Sequence, residues 1–125
     1  MHPVLIDPSA TQRLIRRWYT AWNTHDLSAI LALYDDHTTM CSPKIIERKL
    51  SKDGRLQGKA ALEHYWGSGL KAAPKLRFEP ISYFVGPHAI ALHYAASFGA
   101  APTLALEVLE LSQDGLIEKA QALYA

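Results

Sequence analysis

The sequence predicts an α+β domain in which helices come first and a curved, mostly antiparallel sheet follows. Apolar side chains recur at helical spacing in the first third of the chain, and long β-prone segments fill its last part. Hydrophobic residues make up 49% of the 125 residues, which is enough for one buried core. We therefore expect a single domain over residues 1–125.

The first of three predicted helices follows a short arm that precedes Asp7. Ser9 and Gln12 form a capping-box pattern at its start. An apolar side chain then recurs about every fourth residue as far as Asn23, which gives the helix one broad apolar face.

The second and third helices are shorter. Asp26 is placed to cap a helix in the segment LSAILALY, which ends at Tyr34. Gly58 precedes the third helix, KAALEHYWGSGL. This helix is expected to stop at Gly67 or Gly69, because glycine favours helix ends.

The strands begin after the second helix. HTTMCS, which ends before Pro43, predicts an edge strand, and residues 44–57 predict a variable hairpin or loop around a Lys-Asp-Gly turn. Four long β segments after Pro74, separated by glycine and proline turns, predict an antiparallel meander. Such a sheet must curl, and the three helices can close its concave side around a pocket.

Composition excludes several classes of partner. The net charge is +1, and lysine and arginine are dispersed, so nucleic acid is not expected. No apolar run reaches the roughly 20 residues that span a membrane. The lone Cys41 and the absence of a signal-peptide pattern indicate the cytoplasm. The spacing of the histidines does not suit a metal site. The sequence has no glycine-rich phosphate loop, so no cofactor is expected.

Four segments carry a resemblance to a known family: AWNTHDLSAILALYDDH, GKAALEHYW, LRFEP and DGLIEKAQALY. Over residues 9–125 the chain resembles the SnoaL-like and ketosteroid-isomerase-like branch of the nuclear transport factor 2-like superfamily. The resemblance implies a cone-like sheet with three helices around a pocket, and homodimers that pair through the outer face of the sheet. Members include isomerases, polyketide cyclases, dehydratases and proteins without known activity, so the fold does not fix a reaction.

The isomerase machinery is only partly matched. The position of the catalytic base is occupied by Ser42, and the residue two before it is Met40, so steroid isomerisation is not expected. In the isomerases a tyrosine of the first helix donates a hydrogen bond to the oxyanion, and Trp18 occupies its position here. The aromatic residues that support this tyrosine correspond to Tyr34 and Trp66. These five residues are expected to contact a ligand; the alternative for the three aromatics is ordinary core packing.

The second oxyanion donor of the isomerases, a protonated carboxylic acid, corresponds to Glu107. Strand alternation makes Glu107 the only acid on an apolar face, where desolvation would raise its pKa. The alternatives are a structural carboxylate or a strand flipped by one residue. The family pattern places Tyr94 inward, whereas a one-residue slip would bring His93 inward instead. Glu107 and Tyr94 are the candidate catalytic residues.

The last two strands offer room on one face and an apolar surface on the other. Ala120 and Ala122 are expected to face inward and leave space for a ligand, unless aromatic side chains collapse into it. Leu104, Leu106 and Val108 form an outer face that is consistent with a homodimer.

Two functions follow from these residues. The favoured one is a module that binds a small, mostly apolar molecule in an internal pocket without the isomerase base. The alternative is an isomerase, cyclase or dehydratase that acts on a small carbonyl compound, with Glu107 as acid, base or hydrogen-bond donor and with Tyr94 and Trp18 polarising the carbonyl.

Overall fold

The structure, a computed structural model, describes residues 7–125 and confirms the α+β class. The arm predicted before Asp7 lies outside these residues. The helices are α1 Pro8–Asn23, α2 Leu27–Leu31, α3 Pro43–Glu47 and α4 Lys59–Ala72. The strands are β1 Tyr34–Cys41, β2 Arg55–Gln57, β3 Arg77–Val85, β4 Ala89–Ser97, β5 Thr103–Leu111 and β6 Ile117–Tyr124.

The strands form one curved sheet in the order β2-β1-β6-β5-β4-β3. The four C-terminal strands pair antiparallel in sequence order, which confirms the predicted meander. β1 pairs parallel with β6 and antiparallel with β2. The prediction that β1 is an edge strand is therefore wrong, because β2 covers its other side; Met40 lies between Leu56 and Ala120.

Two helix boundaries differ from the prediction. Asp7, and not Ser9, caps α1: its Oδ2 accepts a hydrogen bond from the backbone N–H of Ala10 at 3.0 Å. Pro8 explains the shift, because a residue without an N–H and with a fixed φ suits the first helical position. Tyr34 was expected in the second helix but begins β1, where it lies opposite Ile117 of β6.

The segment predicted as a variable hairpin or loop contains a helix and a strand. Ser42 caps α3, since its Oγ accepts from the backbone N–H of Lys44 at 3.2 Å, and Pro43 occupies the first turn. Residues 55–57 then return as β2. α3 thus adds a fourth helix to the three that were predicted.

α4 runs through both glycines that were expected to end it. A Cβ on Gly69 would lie 3.2 Å from Nη1 of Arg48, and one on Gly67 would lie 3.2 Å from Cδ2 of Leu27. These glycines therefore allow close packing of α4 against its neighbours, and the helix continues to Ala72.

The core lies between the concave face of the sheet and the helices α1 and α4. Along β4 every second residue is buried, including Ile90, Leu92 and Tyr94. From the helices, Trp18 and Trp66 point into the same core. This arrangement brings α1, α4 and the middle strands around one internal space.

Candidate functional site

A cavity of about 240 Å³ lies between the concave face of the sheet and the helices α1, α3 and α4. Aromatic side chains make up much of its wall. All three tryptophans of the chain take part, namely Trp18, Trp22 and Trp66. The volume lies below the roughly 300–1,000 Å³ that is typical of pockets for drug-sized ligands.

Glu107 is the only acid in this wall within residues 7–125, and it is 4% exposed. Tyr94, on the adjacent strand, donates its hydroxyl hydrogen to Oε1 of Glu107 at 3.2 Å. Burial raises the pKa of Glu107 from 4.5 to about 8, and the hydrogen bond from Tyr94 offsets this only in part. At neutral pH Glu107 is therefore mostly protonated and can donate a hydrogen bond.

Tyr94 itself keeps its proton. Burial, followed by the charge of Glu107 when that group ionises, raises the pKa of Tyr94 far above its ordinary value. Tyr94 thus acts as a fixed hydroxyl donor that holds one oxygen of Glu107.

The phase of both strands agrees with the alternation expected from the sequence. Ala105, Glu107 and Leu109 are buried on β5. On β4, Tyr94 is inward and His93 lies on the other face, where its Nδ1 is 3.3 Å from the hydroxyl of Ser82. The alternative in which His93 faces the pocket is wrong.

Trp18 and Tyr34 form a buried polar pair at the back of the cavity. The indole N–H of Trp18 donates to the hydroxyl of Tyr34 at 3.0 Å, and each side chain is 1% exposed. The ring of Trp66 lies 4.8 Å from that of Tyr34. Trp18 and Trp66 line the cavity, whereas Tyr34 lies behind the wall.

Of the other four predicted ligand contacts, two line the cavity and two do not. Met40 and Ser42 line the cavity. Ala120 and Ala122 are buried but do not line it. Ala120 lies opposite Leu109 in the sheet, and Ala122 lies opposite Glu107, so longer side chains project past both methyl groups.

Two cations in the wall were missed from the sequence, because their segment was expected to be a loop. Lys44 and Arg48 lie on and just after α3, and the ammonium of Lys44 lies over the rings of Phe98 and Tyr124, beside the ends of β4 and β6. Ser42 followed by Pro43 is a helix-start pattern that could have revealed α3 and hence this pair. Tyr65, Phe78, Phe98 and Tyr124 are further wall residues that were not predicted as ligand contacts.

One donor in the wall has no partner. The indole Nε1 of Trp22 is buried and makes no hydrogen bond within the described part of the chain. A buried N–H without an acceptor is rare in folded proteins. The hydroxyls of Thr11, Tyr19 and Thr38 also lack a partner among these residues, so the missing bond of Trp22 does not by itself mark a ligand contact.

Two further features are absent from residues 7–125. Among residues 7–125, no group of three or more His, Cys, Asp or Glu side chains could hold a metal ion. None of the helices formed by these same residues is long and apolar enough to cross a membrane.

A curved sheet whose concave face holds an aromatic cavity, closed by helices, defines a class of small α+β domains with one internal pocket. The family model for the SnoaL-like domain matches residues 15–119. The chain therefore belongs to the SnoaL-like domain family, within the nuclear transport factor 2-like superfamily.

Solved structures agree with this assignment. A SnoaL-like protein of unknown function from Burkholderia thailandensis is 39% identical over 99% of both chains, with a TM-score of 0.89. A protein of unknown function with a cystatin-like fold from Methylobium petroleophilum is 19% identical, over 98% of this chain and 80% of that one, with a TM-score of 0.78.

TerC, co-crystallized with polyporic acid, is 13% identical over 91% of this chain and 90% of that one, with a TM-score of 0.76. Likeness at 19% and 13% identity shows the fold alone. No curated protein matches the chain.

Proposed function

We propose that this SnoaL-like domain binds a small, mostly apolar molecule in its internal cavity. The observation that carries the proposal is the Glu107–Tyr94 pair, a buried polar contact in a wall otherwise rich in aromatic rings. Such a ligand would fill the space between the aromatic rings with its apolar body. Its carbonyl or hydroxyl oxygen would accept a hydrogen bond from Glu107. TerC, a protein of the same fold, was co-crystallized with polyporic acid.

Glu107 is thus the candidate donor in the cavity for a molecule with one acceptor atom. We expect the protein to act in the cytoplasm, as its composition predicts.

Catalysis as an isomerase, cyclase or dehydratase is the less supported alternative. Glu107 is the candidate proton-transfer group. Within residues 7–125 the cavity wall contains no histidine and no second acid that could share a proton transfer with it. Tyr94 keeps its proton, and Ser42, at the position of the isomerase base, is used as the cap of α3. These contacts favour binding over chemistry.

The proposed binding can be tested with a matched pair of neutral compounds, 2-acetylnaphthalene and 2-ethylnaphthalene, by isothermal titration calorimetry. We expect the ketone to bind about tenfold more tightly, because only the ketone accepts a buried hydrogen bond. Glu107→Leu should abolish this preference. Failure of the unmodified protein to bind either compound would contradict the proposal.

A second pair of variants tests the location. Ala73 lines the cavity, so Ala73→Phe should fill it and weaken the binding of both compounds. Ala60 is exposed on α4 and lies outside the wall, so Ala60→Phe serves as the matched control and should bind as the unmodified protein does. Equal binding by both phenylalanine variants would place the ligand elsewhere.

We also propose that two copies pair through the outer face of the sheet. Leu104 and Leu106 of β5 and Leu123 of β6 are exposed there, and Leu106 and Leu123 lie opposite each other. Phe84 of β3 extends this surface. A contiguous apolar face of this kind is typical of an interface between identical subunits.

A further inference from the structure

Lys44 brings a positive charge to the cavity wall without a counter-ion. Its Nζ lies 4.4 Å from the centre of the Phe98 ring and 4.9 Å from that of the Tyr124 ring. Within residues 7–125 it forms no ion pair within 4.0 Å, and residues 1–6 contain no acidic side chain. Ring faces attract an ammonium but accept none of its hydrogen bonds fully, so its donors stay available to a ligand.

Arg48 adds a second positive charge beside it. Its Nη1 donates to the backbone carbonyl of Tyr65 at 3.2 Å, and its Nη2 donates to the hydroxyl of Ser68 at 2.7 Å. Both acceptors are neutral, so the guanidinium is held against α4 without a salt bridge among the described residues. Glu47, the acid of α3, is exposed and forms no ion pair with either cation within the described residues.

The cavity therefore differs in charge between an inner end, at Glu107 in the middle of β5, and an outer end, at Lys44 beside the ends of β4 and β6. Glu107 is buried and mostly protonated at neutral pH, so that end is neutral and can donate to an uncharged acceptor. Lys44 is half-buried and Arg48 is exposed, so their end is cationic and lies nearer to solvent. A neutral ligand would leave both cations without a hydrogen-bond acceptor that carries opposite charge.

We infer that the ligand is a monoanion with an apolar body; this inference rests on the proposed function. The ligand places a carboxylate or similar oxyanion beside Lys44 and a neutral acceptor at Glu107. The carboxylate at one end would accept charge-assisted hydrogen bonds from the ammonium. The aromatic wall between the two ends would hold the apolar body. The expected ligands are therefore organic acids rather than neutral carbonyl compounds.

A second matched pair of probes, 4-benzoylbenzoate and 4-benzoylbenzamide, tests this inference. They share two rings and a ketone and differ in charge. Titration calorimetry at pH 7 should give about tenfold tighter binding of the carboxylate to the unmodified protein. Lys44→Gln should bring the ratio close to one by weakening binding of the carboxylate about tenfold. Lys71→Gln, which removes an exposed lysine of α4 outside the cavity wall, should keep the preference.

The outcomes separate the inference from the proposed function. Equal binding of the two probes to the unmodified protein, or a preference that survives Lys44→Gln, would overturn the inference and leave the pocket in place. Binding of neither probe would overturn the proposed function, and the inference with it. Thermal unfolding of the Lys44→Gln variant shows whether the fold is retained, and amide binding by that variant shows that its cavity is intact.

Discussion

Glu107 destabilises the folded state whenever it is ionised, because its carboxylate is removed from water. The folded pKa of about 8 lies above the ordinary value of 4.5. The folded protein therefore holds a proton that the unfolded chain releases between these two values. The stability contribution of this group falls as pH rises from about 4.5 to about 8, by about 1.4 kcal/mol per pH unit, and is constant above that range.

Glu107→Gln should remove this dependence. We expect the free energy of unfolding of the variant, relative to the unmodified protein, to rise by a few kcal/mol between pH 5 and pH 9. Urea denaturation at both pH values measures it. Glu110→Gln is the matched control, since Glu110 lies on the same strand but on the solvent face, beside Lys119. Parallel profiles for Glu107→Gln and the unmodified protein would contradict a buried, protonated Glu107.

Tyr94 lowers the pKa of Glu107 through its hydrogen bond, although burial has the larger effect. Tyr94→Phe removes only the hydroxyl. We therefore expect the pKa of Glu107 to move above about 8 in this variant, which a carbon-13 NMR titration of the side-chain carboxyl would detect. A pKa that stays the same or falls would show that the hydroxyl does not hold the carboxyl group.

These two residues could be predicted because a strand alternates strictly between faces. Alternation set Glu107 apart as the one acid on an apolar face and put Tyr94 and His93 on opposite faces, and the family resemblance then indicated which faces point inward. The partner of an individual polar atom follows from no such rule. The bond between Trp18 and Tyr34 joins two elements, and nothing in either local sequence specifies it.

At the scale of elements, Asn23 joins the end of α1 to the edge strand β3. Its Nδ2 donates to the carbonyl of Phe78 at 2.9 Å, and its Oδ1 accepts from the N–H of Phe78 at 2.7 Å. Among residues 7–125, β3 pairs only with β4, so the amide occupies backbone groups that would otherwise be open to a further strand.

Asn23→Ala should therefore lower the free energy of unfolding by about 2–3 kcal/mol, because two hydrogen bonds are lost and the backbone of Phe78 is left without partners. Thr24→Ala is the control, since Thr24 is exposed and its hydroxyl bonds only within its own turn, to Thr20 and Ala21. Urea denaturation compares the two. Equal stability of these variants would show that Asn23 merely ends the helix.

The elements that the sequence predicted well are long and periodic, as in α1 and the meander. α3 was missed because five residues are too few to show a helical period, and its charged composition is typical of a loop. The end of α4 was misplaced because glycine has two uses in a helix. It can end the helix, or it can admit a neighbour such as Arg48 to close contact, and only the packed structure distinguishes these uses.

At the scale of the whole molecule, the cavity depends on contacts between distant parts of the chain. Its cationic wall comes from α3, whereas its acid comes from β5 more than fifty residues later. The resemblance to SnoaL-like proteins predicted a pocket. The positive charge on one side of this pocket depends on where α3 lies against α4 and the ends of the strands. That placement rests on tertiary contacts, such as those of Arg48 with Tyr65 and Ser68.

The proposed dimer is a property of the outer sheet face, and one substitution can test it. Leu106→Lys places a charge in the centre of this face, so it should shift the protein from dimer to monomer in size-exclusion chromatography with light scattering. Leu50→Lys is the matched control, because both leucines are 37% exposed and Leu50 lies outside the sheet, between α3 and β2. The control should remain dimeric. A monomeric unmodified protein, or a Leu106→Lys variant that stays dimeric, would contradict pairing through this face.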